Sequence, residues 1–156
     1  MIKTIKLLTA GLVLTTLLSC NGGNKSNKEI GNSSNDTTNN GTTIFKATLK
    51  GSSEVPPNQS TASGNCTLTY NNTTKDFTAV TSYSGITPSM GHIHIGTVGQ
   101  NGPVVFPFTN LASPITFNSG TLTSEQISEL FNSSMYVNLH TTAYPGGEIR
   151  GQLIKQ

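Results

Sequence analysis

The chain has 156 residues, of which 33% are hydrophobic, 10% charged and 6% aromatic, with no Trp. That length gives one domain of ordinary size, and a charged fraction so far below the usual rough quarter excludes coiled coils and solvated helical bundles. The formal charge of +2 vanishes once Lys3 and Lys6 are set aside as part of a leader, so the mature chain lacks the basic footprint of a nucleic-acid binder, and that class is excluded.

Met1 to Lys6 carries the two lysines, and Leu7 to Leu18 is an apolar run broken only by small residues and threonines. A basic start before an apolar stretch too short to span a membrane comfortably is the pattern of a signal peptide, here residues 1–19. Leu17-Leu18-Ser19-Cys20 resembles a bacterial lipobox. The resemblance implies cleavage before Cys20 and a diacylglycerol on its thiol. It further implies a lipid-anchored protein of the bacterial cell envelope, on the periplasmic or cell-surface side. Acyl chains at about 0.8 kcal/mol per buried methylene give such attachment without a spanning helix. The segment 20–42 follows as an Asn, Ser, Gly and Thr tether whose only large aliphatic is Ile30. It has too little apolar surface to offset its ordering entropy, and as a flexible coil it reaches about 25 Å.

From residue 43 to 156 the pattern has period two. Ile44, Ala47 and Leu49 open a strand that ends at Gly51-Ser52-Ser53. Gly64 to Tyr70 and Lys75 to Tyr83 form two more around the hairpin loop Asn71-Asn72-Thr73-Thr74. Cys66 shares a strand face with Leu68, so with Cys20 acylated it reads as a lone, buried, inert thiol. Met90 to Ile95 and Pro103 to Phe108 are short strands, Pro107 marking an edge or bulge, and Ile115 to Thr121 is another. Thr123-Ser124-Glu125-Gln126 fits a capping box, and Ile127, Leu130 and Phe131 continue it as a helix of two to three turns. Met135 to His140 and Glu148 to Ile154, joined through Tyr144-Pro145-Gly146-Gly147, are the last strands. Many short strands with one helix predict an all-β fold, an antiparallel Greek-key-like β-sandwich.

All three histidines fall in Met90-Gly91-His92-Ile93-His94-Ile95-Gly96 and Tyr136-Val137-Asn138-Leu139-His140-Thr141. On a strand His92 and His94 point one way while Ile93 and Ile95 take the core, and their Cα atoms stand about 6 to 7 Å apart. His140 likewise turns from Val137 and Leu139, so one exposed face is expected to gather all three rings. Met90 lies on the face of His92. Imidazoles with a thioether nearby suit copper, Cu(I) above all, with zinc on three histidines as the chemical competitor. No Gly-x-Ser-x-Gly, paired catalytic carboxylates or phosphate-cradling loop is present. Glu54, between a turn and Pro56-Pro57, reads as a structural corner.

The order Ala47-Thr48-Leu49-Lys50-Gly51-Ser52-Ser53-Glu54-Val55-Pro56-Pro57, Gly91-His92-Ile93-His94-Ile95-Gly96, Asn101-Gly102-Pro103-Val104-Val105, Tyr136 to Thr141 and Pro145 to Leu153 resembles the CHRD (chordin) domain from about Phe45 to Leu153. Alanine is common before the first histidine in that family, where this chain has Gly91. The family is named for repeats in an extracellular antagonist of bone morphogenetic proteins. A narrower likeness joins Gly91-His92-Ile93-His94, His140 and Gly147-Glu148-Ile149-Arg150-Gly151 to copper–zinc superoxide dismutase. Carried over, it implies His92, His94 and His140 as copper ligands. With no fourth histidine and no disulfide partner, the zinc half has no counterpart.

Three readings follow. The favoured one is a lipid-anchored domain binding copper or a similar metal as carrier, buffer or sensor. A mononuclear copper redox enzyme resembling superoxide dismutase is the second; it needs an open coordination position and a steering rim, for which Arg150 is the candidate unless it pairs with Glu148. The third is a protein-binding or adhesion module using the Asn/Thr-rich strand faces and the Gly96 to Gly102 loop. The residues favour binding over catalysis.

Overall fold

The computed structural model describes residues 41–156; the segments expected to be leader and tether, with Cys20, lie outside the described residues up to Asn40. Strand β1 (Thr42–Lys50) runs antiparallel to β2 (Ser63–Asn71) over nine positions, and β2 to β3 (Phe77–Ser84). Alternation sets their faces: Phe45, Ala47, Leu49, Cys66, Leu68, Tyr70, Phe77 and Ala79 point inward and are buried. Between β2 and β3 the Asn71 side chain accepts from the Thr73 and Thr74 amides, and Lys75 takes a positive φ of 61°. That turn delays β3 to Phe77, two residues later than the sequence suggests.

The other layer consists of β4 (Met90–Ile95), β5 (Val104–Pro107), β7 (Met135–His140) and β8 (Ile149–Gln152), with β6 (Ile115–Asn118) on the first layer beside β3. The order β5-β4-β7-β8-β1-β2-β3-β6 is one antiparallel sheet, with β9 (Ile154–Lys155) pairing β1 as well. Strands β1 and β8 are paired at one position, Lys50 with Arg150, where the sheet curls over. Its ends then face each other through aromatic rings: Phe106 of β5 meets Phe77 of β3 at 5.2 Å and Phe117 of β6 at 5.9 Å. The result is the expected all-β, sandwich-like fold. The stretch read as one last strand is divided because Leu153 is fully buried and donates its N–H to the Met135 carbonyl.

Helix α1 (Ser124–Phe131) has its capping box in full: Thr123 Oγ1 accepts from the Gln126 amide and Gln126 Oε1 accepts from the Thr123 amide. It drives Leu130 into the core and sets Phe131 edge-on to Phe45 and Tyr70 at 5.3 and 5.4 Å. On β5 the register slips between Ile93 and His94, which face Phe106 and Val104, so Val105 is the extra residue of a bulge.

Pairing of β4, β7 and β8 aligns His94 with Tyr136 and Gln152, and His92 with Asn138 and Arg150. These side chains share the face turned from the core. That face is not the open surface the sequence suggests, for every residue of β7 is buried. Connecting segments roof it. Arg150 donates to the carbonyls of Thr97 and Gln100 and to Asn101 Oδ1, and Gln152 donates to the Gly96 carbonyl. Asn58 donates to the carbonyls of Gly147 and Glu148, and Asn101 donates to that of Val55, tying one roof segment to the other.

Candidate metal centre

His92 and His94 come from alternate positions of β4, and His140 ends β7 opposite Met90. The rings of His92 and His140 lie 5.0 Å apart, those of His92 and His94 5.4 Å, and those of His94 and His140 6.1 Å. One nitrogen from each ring lies within 4.8 Å of the other two. Two strands of one sheet thus bring together the three residues expected to converge. Met90 is on the same face and 45% exposed, at the rim.

Backbone carbonyls choose which nitrogen each ring presents. His140 Nδ1 is 3.0 Å from the Pro145 carbonyl oxygen and His94 Nδ1 is 3.0 Å from that of Gly102. A carbonyl only accepts, so each Nδ1 holds the proton and each Nε2 keeps its lone pair. His94 Nε2 is buried with no protein partner. His92 presents the other nitrogen, its Nδ1 standing 3.2 Å from His140 Nε2. Two imidazole ligands on one tetrahedral ion, each at about 2.0 to 2.1 Å, stand about 3.3 Å apart. The His92–His140 pair already has that spacing, while a pair at 4.8 Å must close by about 1.5 Å, a movement of side-chain rotation.

The rings are also held neutral, the form that binds metal. Burial lowers the pKa of all three below the ordinary histidine value. Charge on His140 and His94 lowers His92 further, and His140 and Arg150 lower His94 against the opposing pull of the Gly102 carbonyl. For His140 only the Pro145 carbonyl pulls upward.

Behind His94 stands a stack. Its ring lies parallel to that of Tyr136, centroids 4.8 Å apart and planes 6° from coincidence, and the Arg150 guanidinium carbon is 3.4 Å from the Tyr136 centroid. The Gly102 amide donates to Tyr136 Oη at 3.2 Å, so the residue that orients His94 is itself held by the ring His94 stacks on. Only glycine fits there, since a Cβ on Gly102 would fall 1.6 Å from the Ile95 oxygen.

Both sequence-based roles for Arg150 are replaced. It is 2% exposed and its NH1 and NH2 donate to the 97–101 loop, which leaves it holding the roof where a steering rim was expected. Glu148 does not take it either, accepting instead from Ser60 Oγ and Thr141 Oγ1. Cys66 takes no part; it is buried, and desolvation pushes its thiol up to about 11. Sequence reasoning missed the orienting carbonyls of Gly102 and Pro145. Their only signal was the glycine and proline flanking each histidine motif.

A family model described as the CHRD domain matches residues 45–153. Comparison with curated proteins and with solved structures found no match.

Proposed function

We propose that this chain, which belongs to the CHRD-domain family, is a lipid-anchored envelope protein that binds copper as a carrier, buffer or sensor. The observation that carries the metal reading is that one ring nitrogen from each of His92, His94 and His140 lies within 4.8 Å of the other two, with His92 Nδ1 and His140 Nε2 at 3.2 Å. The carbonyls that fix two of the tautomers take the Nδ1 proton as the outer partners of metal-bound histidines do, and the unpartnered His94 Nε2 has a lone pair to give to an ion. Imidazole donors with the Met90 thioether at the rim favour copper over calcium or magnesium and place zinc second. Arg150, engaged with the roof, supports binding over redox turnover. The anchor rests on the leader and Cys20.

Copper titration and metal analysis of the full chain test the site. One equivalent of copper is expected. His94→Ala should weaken it by at least about 100-fold, the upper end of what a mere outer-shell change costs. Met90→Leu should weaken Cu(I) while leaving zinc unchanged, since a thioether has little pull on zinc. Copper binding that survives His94→Ala undiminished removes the proposal. Membrane fractionation of Cys20→Ala tests the anchor separately.

A further inference from the structure

Beside the histidines, two buried atoms lack partners: Glu54 Oε1 and Asn138 Oδ1. Their groups already share one hydrogen bond, Asn138 Nδ2 donating to Glu54 Oε2 at 3.4 Å. Both orphan oxygens stand 2.7 Å from where a Cβ on Gly147 would be, and Gly147 has φ +128°. A side chain there would be strained and would fill the space in which carboxyl and carboxamide face each other.

Two buried acceptors without a donor are unfavourable, and one hydrogen cures both. A neutral carboxyl offers one donor and one acceptor, the complement of a carboxamide. We infer that Glu54 is a proton-binding site: a proton on Oε1 is donated to Asn138 Oδ1, closing a two-bond acid–amide ring that latches the roof segment carrying Glu54 onto β7. Nothing in this depends on a metal.

The surroundings agree. Glu54 is 4% exposed, and burial pushes its carboxyl from 4.5 up to about 7, against the lowering by the Arg150 charge and the Asn138 hydrogen bond. Arg150 on β8 is the charge acting on it. Glu148, one residue before β8, is bound to Ser60 and Thr141. His92 on β4 is the register partner of Asn138, and His140 is two residues from it on β7. Between 4.5 and about 7 the folded chain keeps a proton that the unfolded chain has released. Stability owed to Glu54 is therefore full at the acid end of that window, falls as pH rises through it, and is level above.

Denaturation midpoints of the metal-free full chain, from about pH 4 to about pH 9, test this through Glu54→Gln. Glutamine presents an N–H where the acid presents O–H, keeps the ring, and loses no proton. The variant should match the wild type at the acid end and exceed it increasingly toward neutral pH; histidine titration is common to both and cancels. A neutral-carboxyl C=O band in the infrared near pH 6, about a unit below the folded value, should be present in the wild type and absent in Glu54→Gln. Asn138→Leu removes the partner and should shift that band, which decides the matter even if the glutamine variant fails to fold. A constant gap between the midpoint curves, or no such band, overturns the inference. So does stabilisation by sodium, potassium or calcium at neutral pH in the wild type alone, which would make the ligand a metal cation.

Discussion

On β2 and β3 the side chains turned from the core, Asn65, Thr67, Thr78 and Val80 among them, are exposed. On β7, Tyr136, Asn138 and His140 turn from the core just as regularly and are buried. Alternation decides the face; what crosses that face decides whether its polar groups meet water. Where threonines meet solvent, each can trade partners freely. Under the roof every polar atom needs a fixed partner, and the orphans stand out. Of the five buried unpartnered side-chain atoms among the described residues, three belong to this one region: Glu54 Oε1, Asn138 Oδ1 and His94 Nε2. A region that gathers its orphans in one place is built around something other than its own packing.

The contrast breaks hardest at Arg150. Arg150→Met removes the donors that hold Thr97, Gln100 and Asn101 and should cost about 3 kcal/mol or more in chemical denaturation, since hydrogen bonds to buried charge are the strong ones. Amide exchange in the 97–102 loop should speed up with it. A loss no larger than a surface change would mean the roof stands without Arg150. Next comes Tyr136. Tyr136→Leu removes the plate behind His94 together with the Gly102 bond and should weaken copper about 10- to 100-fold and alter its electron paramagnetic spectrum, while Tyr136→Phe keeps the stack, loses only the Gly102 bond and should fall closer to wild type. Equal behaviour of the two variants would reduce Tyr136 to packing.

Acid sharpens the comparison through the three histidines themselves. Each histidine has a folded pKa below its unfolded value, so the folded chain binds fewer protons than the unfolded one on the acid side. Stability is whole above about pH 6.5 and is lost as pH falls below it. A Glu54→Gln background isolates this slope, because Glu54 runs in the opposite sense. Replacing His140 with Gln should make the acid-side decline shallower; an unchanged slope would show the rings titrating alike in both states. The smallest effect belongs to the other layer: Thr67→Ala should stay within about 0.5 kcal/mol and leave copper affinity alone.

What the sequence disclosed follows from periodicity. Met90–Ile95 and Met135–His140 have the boundaries their alternation suggests, and the Thr123–Gln126 box marks the helix start. The convergence of His92, His94 and His140 needed only that alternation and two neighbouring strands. The roof was invisible because its segments, around Glu54 to Asn58 and Thr97 to Gly102, have no period and contribute mainly backbone carbonyls and single polar side chains. Arg150 looked free for the same reason: its partners are loop oxygens with no residue-type signature. With His94 only 8% exposed where an exposed face was expected, His94→Ala removes a stacked ring along with the proposed ligand and should cost some stability.

The bulge on β5 bears on how this protein meets its own copies. An open sheet has two borders, and each is a template on which a neighbouring chain can add a strand. Here both borders, β5 and β6, are four residues long. Pro107 withholds an amide donor from one of them, and the extra Val105 skews its remaining groups out of line. A sheet so finished resists growing into a fibre at high local concentration, and replacing Pro107 with a β-branched residue is the change most apt to reopen that route.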